Sequence, residues 1–245
     1  MPRLYIPDIF IVDNKISITG EKARYLVSVL RCKKGDELVI FDGKGNCYRI
    51  TMLKISRKEV LTEVTDIFSC NTESHLDIIL IQCLLKGDKM DLVIQKTTEL
   101  GVKEIIPAVS ERSQLRETRR LTRWKKVAEE ASRQSGRNVI PVIYEPIDFK
   151  TIFHKYSSQK KIYGFIFYEG YGIKLSKAMH KIKYQDASFP VYLLVGPEGG
   201  FTKEEIAIAK EAGLTVVSFG ERIMRAETAA ISAVTLVQFL LGDLS

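Results

Sequence analysis

Polar and apolar residues alternate over short stretches in the first seventy positions, a pattern typical of half-buried β-strands. One helical pattern interrupts these stretches, because Thr19 is suited to cap the segment GEKARYLVSVLR (20–31). Many short strands that close on themselves are typical of a small β-barrel, which we predict here. The stretches are KISIT (15–19), DELVIFDG (36–43), GNCYRITMLKI (45–55) and KEVLTEVTDIF (58–68).

The pattern changes after SCNTESH (69–75), a polar stretch suited to a linker. LDIILIQCLL (76–85) is an uninterrupted apolar run, as expected for a strand buried on both faces. DKMDLVIQKTTELG (88–101) is an amphipathic helix that closes with Gly101. Further apolar runs then alternate with helical patterns, one of them over 118–135. These later runs are EIIPAV (104–109), IPVIYE (140–145), IYGFIFYE (162–169), VYLLV (191–195) and TVVSFG (215–220).

Strands that alternate with helices predict an α/β domain with a mainly parallel sheet. We place this domain at residues 72–245 and the preceding small barrel at residues 1–71. In parallel α/β sheets, ligands bind beyond the carboxyl ends of the strands. The loops that follow the apolar runs are therefore the first places to search for a site.

The loop VGPEGGF (195–201) follows one of these strands directly. Thr202 and Glu205 have the spacing of a capping box, so a helix should begin just after it. The spacing matches neither a P-loop nor a dinucleotide-binding fingerprint. Pro197 removes a donor and the Glu198 carboxylate repels anions, so a ligand without phosphates fits better. A tight turn with no ligand is the alternative.

A second glycine-containing loop, FGERIMRAETAA (219–230), follows the last strand. Four charged side chains lie close together in it, next to Ile223 and Met224. The helix that continues from it, TAAISAVTLVQFLL (228–241), is apolar nearly all round, which indicates burial within the domain or against a second subunit. A charged loop in front of a buried helix is costly unless the loop has a function.

The formal net charge of +7 favours a polyanionic partner. Residues 110–137 hold nine Arg and Lys against four Glu, and seven of the nine are Arg, which binds phosphate in a bidentate manner. This segment therefore favours nucleic-acid contact, and a solvated helix face is the alternative.

The remaining composition favours a soluble cytoplasmic protein. The first ten residues lack the pattern of a signal peptide, and no apolar run is long enough to span a membrane. Four cysteines without C-x-x-C spacing and three scattered histidines predict reduced thiols and no metal site.

VGPEGGFTKEE (195–205) followed by FGERIMRAETAA (219–230) closely resembles the signature of the ribosomal RNA small-subunit methyltransferase E family. These enzymes are the uracil-N3 methyltransferases of the SPOUT, or trefoil-knotted, superfamily. The resemblance covers almost the whole chain, although Tyr25 stands near a place where the family often has histidine. The further matching segments are VLRCKKGDELVIFDGKGNCY (29–48), KGDKMDLVIQKTTELGVKEIIPAVSERS (86–113) and RWKKVAEEASRQSGRNVIPVI (123–143).

The resemblance implies a PUA-like barrel joined to a knotted α/β domain that binds S-adenosyl-L-methionine and forms a homodimer. This cofactor carries no phosphate, in agreement with the absent phosphate loops. It requires backbone hydrogen bonds and apolar walls, which the two loops are suited to supply. The residues expected to bind it are Leu194, Val195, Gly196, Pro197, Gly199, Gly200, Gly220, Ile223, Met224, Arg225, Thr228 and Ala229.

The activity implied is methylation of N3 of a uridine in 16S ribosomal RNA, within the small ribosomal subunit. Arg225 is the first candidate to stabilise the uracil anion, and Glu198 and Glu227 are candidates to accept the N3 proton. A salt bridge or a charge at a helix N-terminus is the alternative for these two carboxylates. Another RNA such as tRNA, or a non-catalytic RNA-binding role, are the alternative functions. The expected RNA contacts are Arg3, Arg24, Arg31, Lys34, Arg112, Arg116, Arg119, Arg120, Arg123, Arg133 and Arg137.

Overall fold

The structure is a computed structural model of the 245-residue chain, and it describes residues 1–69, 72–157, 162–179 and 189–244. Its contacts divide the chain into two compact units, and the division falls inside a long helix. The first unit comprises Met1–Glu73 and Ser132–Ile140, and the second comprises Ser74–Ala131 and Pro141–Ser245. The predicted domain boundary after residue 71 borders residues 70 and 71, which lie outside the described part, and it stays a prediction.

The first unit is built on a mostly antiparallel sheet. Its strands have the order β1-β3-β4-β5-β2, and only the β1–β3 pair is parallel among the described strands. In this pairing β1 and β2 are the sheet edges, so a closed barrel stays a prediction. The strands are β1 (Arg3–Tyr5), β2 (Lys15–Thr19), β3 (Glu37–Phe41), β4 (Asn46–Ile55) and β5 (Glu59–Ser69).

The helix predicted after Thr19 is present but changes its form along its length. It begins as α1 (Gly20–Arg24) and continues as a π-helical turn, Tyr25–Val29. Thr19 makes no side-chain capping bond. Ala23 and Leu26 from the two parts are both fully buried in the core of this unit, which explains why the helical pattern was visible in the sequence.

The second unit is an α/β domain with a parallel sheet, as predicted. Its strands have the order β11-β13-β10-β12-β6-β7-β8, and β9 also pairs with β7. Every strand pair described in this sheet is parallel. The strands are β6 (Ile78–Cys83), β7 (Glu104–Val109), β8 (Val142–Ile143), β9 (Ile147–Asp148), β10 (Gly164–Phe167), β11 (Ile173–Lys174), β12 (Val191–Val195) and β13 (Thr215–Ser218).

The helices of the second unit cover this sheet. All of β6 is buried, because α4 and α6 pack on alternate side chains of the sheet and α7 packs on β6, β12 and α2. Gly101 follows the last turn of α2 with φ +85°, as predicted for the residue after a helix cap. The helices are α2 (Lys89–Glu99), α3 (Leu121–Ser135), α4 (Phe149–Ser157), α5 (Leu175–Met179), α6 (Lys203–Glu211) and α7 (Ala226–Leu241).

Helices α3 and α7 each bury a large side chain, Trp124 and Gln238 respectively. Trp124, on α3, is the single tryptophan of the chain and is buried. The last turns of α7 are fixed by Gln238, which donates to the carbonyl oxygen of Leu100 and accepts from the hydroxyl of Ser74. Towards solvent α7 keeps an apolar face, formed by Leu236, Phe239 and Leu240. No helix among the described residues is long and apolar enough to cross a membrane.

Candidate functional site

A cavity of about 450 Å³ lies at the carboxyl ends of three neighbouring strands of the second unit, β13, β10 and β12. Because parallel strands end at the same sheet edge, the loops that follow them converge. The loops that follow the three strands line the cavity with Phe167–Glu169, Val195–Gly200, Phe219, Gly220 and Arg222–Arg225. The first turn of α7 and Lys89 of α2 complete the lining.

Most of the residues predicted for the cofactor line this cavity, and two do not. Leu194 points into the core between the sheet and its helices and is fully buried. Thr228 is exposed on α7 and is not part of the lining. The predicted residues that do line it are Val195, Gly196, Pro197, Gly199, Gly200, Gly220, Ile223, Met224, Arg225 and Ala229.

Two phenylalanines supply a flat apolar wall. The rings of Phe167 and Phe219 are stacked, with centroids 4.7 Å apart and an angle of 14° between their planes. They come from the ends of β10 and β13, which are neighbours in the sheet. Sequence reasoning missed both residues, since their pairing depends on this strand order.

The glycine positions bring the backbone close to other groups. Gly200 has φ +67°, and a Cβ atom there would overlap the carboxylate of Glu169. A Cβ atom at Gly199 would press on Arg112. Gly220 has φ +106°, and apart from its two chain neighbours no atom of the described residues lies within 4 Å of the place of a Cβ atom. The positive φ of Gly200 favours glycine there, and a Cβ atom at Gly199 would require a small shift of Arg112. Gly220 leaves room for a ligand.

The loop after β12 is held at its end by the predicted capping box. The hydroxyl of Thr202 accepts from the backbone N–H of Glu205, and the Glu205 carboxylate accepts from the N–H of Thr202 over 2.9 Å. The other carboxylate oxygen of Glu205 accepts from the backbone N–H of Glu111 over 2.8 Å. A single buried carboxylate therefore joins the start of α6 to the segment that follows β7.

The two predicted proton acceptors both lie near the ammonium group of Lys89. Its ammonium group is 3.0 Å from a Glu198 oxygen and 4.0 Å from a Glu227 oxygen. Partial burial raises the pKa of Glu198, but hydrogen bonds from its own backbone, from Lys89 and from the N–H of Lys86 outweigh that effect and leave the pKa below its ordinary value. Glu198 lines the cavity, whereas Glu227 is outside the lining.

Arg225 is placed at the start of α7, and its side chain is exposed and lines the cavity. Its backbone carbonyl accepts the first hydrogen bond of the helix, from Ala229. Among the described residues its guanidinium makes no ion pair, and Glu227 lies near Lys89 instead. Arg222, which the sequence analysis did not select, lines the same cavity.

Arginines of the segment that follows β7 are largely engaged in contacts within the second unit. Arg112 donates to the carbonyl oxygen of Gly199, and Arg116 donates to two backbone carbonyls of its own loop. Arg120 donates to the carbonyl of Gly87 and to Asp88, and Arg123 pairs with Asp91. Among these five arginines only Arg119 has no described partner, and it is exposed.

The basic residues predicted for RNA in the first unit separate into two groups. Arg24, Arg31 and Lys34 are exposed. Arg137 is buried and its guanidinium pairs with the Glu73 carboxylate over 2.7 Å. Arg3 donates to the carbonyl oxygen of Arg137 and to the side chain of Asn138. Arg133 is half-buried near the end of α3.

The internal bonds of Arg3 and Arg137 were invisible in the sequence, because they join the start of the chain and residue 73 to Ser132–Ile140. These segments are distant along the chain and meet only in the folded unit. The guanidinium of Arg137 is buried and paired inside the unit. The prediction that Arg137 contacts RNA at the surface is therefore wrong.

The cavity also contains residues without a signal in the sequence. Lys89, Tyr168 and Glu169 line it, although they are distant along the chain from the two glycine-containing loops. Their only signal is their position just after a buried strand. Among the described residues no group of three or more His, Cys, Asp or Glu side chains is arranged to hold a metal ion.

Comparisons with known proteins give the same relatives for both units. Residues 72–238 match the family model of the RNA methyltransferase domain, and residues 18–65 match that of the RNA methyltransferase PUA domain. The ribosomal RNA small subunit methyltransferase E of Buchnera aphidicola subsp. Acyrthosiphon pisum (strain APS) is 32% identical, over 99% of this chain and 95% of that protein.

Solved structures agree. A crystal structure of a ribosomal RNA small subunit methyltransferase E from Neisseria gonorrhoeae, bound to S-adenosyl methionine, is similar with a TM-score of 0.89 and 33% identity over the full length of both chains. A putative methyltransferase from Legionella pneumophila, in complex with the same cofactor, is similar with a TM-score of 0.87 and 30% identity, over 99% of this chain and 98% of that one.

Proposed function

Since the chain belongs to the ribosomal RNA small subunit methyltransferase E family, we propose that it transfers a methyl group from S-adenosylmethionine to N3 of a specific uridine in 16S ribosomal RNA. The observation that supports this most strongly is the cavity at the ends of β10, β12 and β13. Both glycine-containing motifs that carry the family resemblance line it. An enzyme with this substrate acts in the cytoplasm, where ribosomal subunits are assembled.

The residues of the cavity fit S-adenosylmethionine. Its volume lies within the range of about 300–1,000 Å³ that is usual for small-molecule sites. The stacked Phe167 and Phe219 offer an apolar surface for an adenine ring, and Gly220 leaves open space on the cavity side. When bound, the cofactor supplies a methyl group activated by a sulfonium.

We infer that the trefoil knot lies in the same part of the fold, at the carboxyl ends of β10, β12 and β13.

Arg225 is the residue of this chain best suited to act on the RNA base. Removal of the N3 proton leaves a negative charge on the uracil ring. Arg225 lines the cavity, and its guanidinium has no ion-pair partner among the described residues. A preorganised donor stabilises such a charge. Glu198 suits proton transfer less well, because its lowered pKa makes it a weaker base. Glu227 lies beside Lys89 and outside the cavity lining.

RNA binding is supported by exposed basic residues in each unit, Arg24, Arg31 and Lys34 in the first and Arg119 in the second. In the first unit we infer a PUA-like barrel as the RNA-recognition module. Phosphate contacts of this kind weaken as salt rises, because counterions are released on binding. The engaged arginines of the second unit retain unused N–H groups and contribute through their charge.

A homodimer is the assembly we infer. The apolar face of α7, formed by Leu236, Phe239 and Leu240, is exposed in the single chain. Contiguous apolar surface of this kind marks interaction sites in soluble proteins. Sedimentation of the purified protein at micromolar concentration should give a species of twice 27.8 kDa, and a monomer would contradict this assignment.

The decisive experiment is methyl transfer from labelled S-adenosylmethionine to small ribosomal subunits from a strain that lacks its own enzyme. We expect one labelled uridine in 16S RNA, with the methyl group at N3 when the nucleoside is analysed. Parallel reactions with naked 16S RNA and with tRNA separate the substrates. Label in tRNA alone would redirect the function to another RNA, and cofactor binding without transfer to any RNA would contradict the proposal.

A further inference from the structure

The carboxylates at the cavity differ in how they are neutralised. Glu198 accepts hydrogen bonds from the Lys89 ammonium and from the backbone N–H of Lys86. Glu169 also lines the cavity, but it has no hydrogen bond or ion pair with any described residue. It is therefore the one carboxylate of the described lining without a described hydrogen-bond donor or a cation within ion-pair distance.

This carboxylate lies next to the glycine-rich loop. It lies directly against the backbone of Gly200, because a Cβ atom at that residue would overlap it. The loop that carries it is held by the backbone N–H of Tyr168, which donates to the carbonyl of Val217, and by an edge-to-face contact between the rings of Tyr168 and Tyr171. The negative charge thus faces the glycine-rich loop, although Glu169 is accessible to solvent.

A cationic ligand would supply the missing partner. S-adenosylmethionine has a positive sulfonium, whereas its product, S-adenosylhomocysteine, has a neutral thioether at the same place. The two molecules differ only in this charge and in the methyl group. A carboxylate close to the sulfur atom attracts the first molecule and not the second, which would favour binding of the methyl donor and release of the product.

We propose that Glu169 is the counter-charge of the cofactor sulfonium, through which the cavity distinguishes the methyl donor from its demethylated product. This inference rests on S-adenosylmethionine as the cofactor in the proposed function, and it does not depend on which RNA is methylated. Glu169 acts here on binding, and the methyl transfer itself needs no proton or bond from it.

Three ligands that differ at the sulfonium position test this role by calorimetry. They are S-adenosylmethionine, S-adenosylhomocysteine and sinefungin, which has a protonated amine in place of the sulfonium. Glu169→Gln keeps the shape of the side chain and removes its charge. We expect the affinity for the two cationic ligands to fall about tenfold, or ~1.4 kcal/mol, and that for S-adenosylhomocysteine to fall less than about twofold.

Glu211→Gln is the matched control, since Glu211 is an exposed glutamate at the end of α6 and outside the cavity lining. It should leave all three affinities unchanged. Equal weakening of the three ligands by Glu169→Gln would assign the carboxylate to a part that they share, and unchanged affinities would remove it from the site. Either result overturns the proposal, whereas a wild-type protein that binds none of them would refute the proposed function instead.

Discussion

The guanidinium of Arg112 donates a hydrogen bond of 3.2 Å to the carbonyl oxygen of Gly199, and the Cβ atom of Arg112 packs against the same glycine. Glu205 adds a second link between these two loops through the backbone N–H of Glu111. The basic segment after β7 is thus attached to the glycine-rich loop of the cavity. Arg112, which the sequence analysis predicted to contact RNA, therefore also holds a loop of the cavity that we propose for the cofactor.

Arg112→Ala and Arg119→Ala should therefore differ in their effect on cofactor binding. Loss of the Arg112 bond should weaken S-adenosylmethionine binding about twofold to twelvefold, from about 0.5–1.5 kcal/mol for one hydrogen bond. Arg119→Ala removes the same charge from a side chain without a described partner, so it should leave cofactor affinity unchanged. Both should weaken binding of a 16S RNA fragment at fixed salt. Equal cofactor affinities of the two variants in calorimetry would contradict this coupling.

The carboxylate of Glu205, which accepts hydrogen bonds from two loops, should contribute to the free energy of unfolding. Glu205→Gln places an amide N–H₂ opposite one of two backbone N–H donors, and the site is buried. An unsatisfied buried group costs about 1–3 kcal/mol, which urea denaturation would detect. Glu211→Gln, at the exposed C-terminal end of α6, is the control and should unfold like the wild type. Equal midpoints for the two variants would show that the links of Glu205 contribute nothing.

The interaction of Glu198 with Lys89 should give a stability that depends on pH. The folded pKa of Glu198 lies below its ordinary value of 4.5. Its carboxylate therefore stabilises the folded protein above that value, and this contribution is lost as the pH falls through the lower folded pKa. The difference in melting temperature between wild type and Glu198→Gln should be constant from pH 8 to about pH 5 and should shrink below pH 4.5.

Lys89→Met provides the comparison for this titration. It removes the cation that lowers the pKa of Glu198, so in that background the Glu198→Gln difference should be smaller at neutral pH. If the wild-type difference persisted unchanged to pH 3, about 1.5 units below the ordinary pKa, the pairing would have no measurable effect on stability.

Arg225 should matter for chemistry more than for folding. Its side chain is exposed and has no ion pair among the described residues, so Arg225→Ala should keep the melting temperature. Loss of a donor to a developing anion typically costs about 100- to 1,000-fold in turnover. Arg225→Lys should recover part of it, because a point charge replaces the planar guanidinium incompletely. Single-turnover methylation near the wild-type rate in Arg225→Ala would remove the residue from catalysis.

The sequence allowed the local elements of the site to be predicted. The capping box of Thr202 and Glu205, Gly101 after α2 and the cavity lining by both glycine-containing loops all depend on residues close together in the chain. Such features follow from short spacings that have a direct physical meaning. The parallel sheet was also predictable, since its strands are apolar runs that alternate with helices.

The strand order and the partners of charged residues could not be predicted in this way. Lys89 and Glu169 reach the cavity because β6 and β10 lie beside β12 in the sheet, and periodicity contains no information about that order. The π-helical turn at Tyr25–Val29 has the same apolar pattern as an α-helix. Arg137 counts as a surface charge in the sequence, but its carboxylate partner comes from a distant segment.

The burial of Trp124 in α3 has a spectroscopic consequence. As the only tryptophan of the chain, Trp124 is the sole source of indole fluorescence. The residue is 2% exposed and lies on the helix within the basic segment. Emission from the folded protein should therefore lie at short wavelength and move to longer wavelength when α3 separates from its core. Because no tryptophan lines the cavity, intrinsic fluorescence should report the unfolding of α3. It should not respond directly to binding of the cofactor.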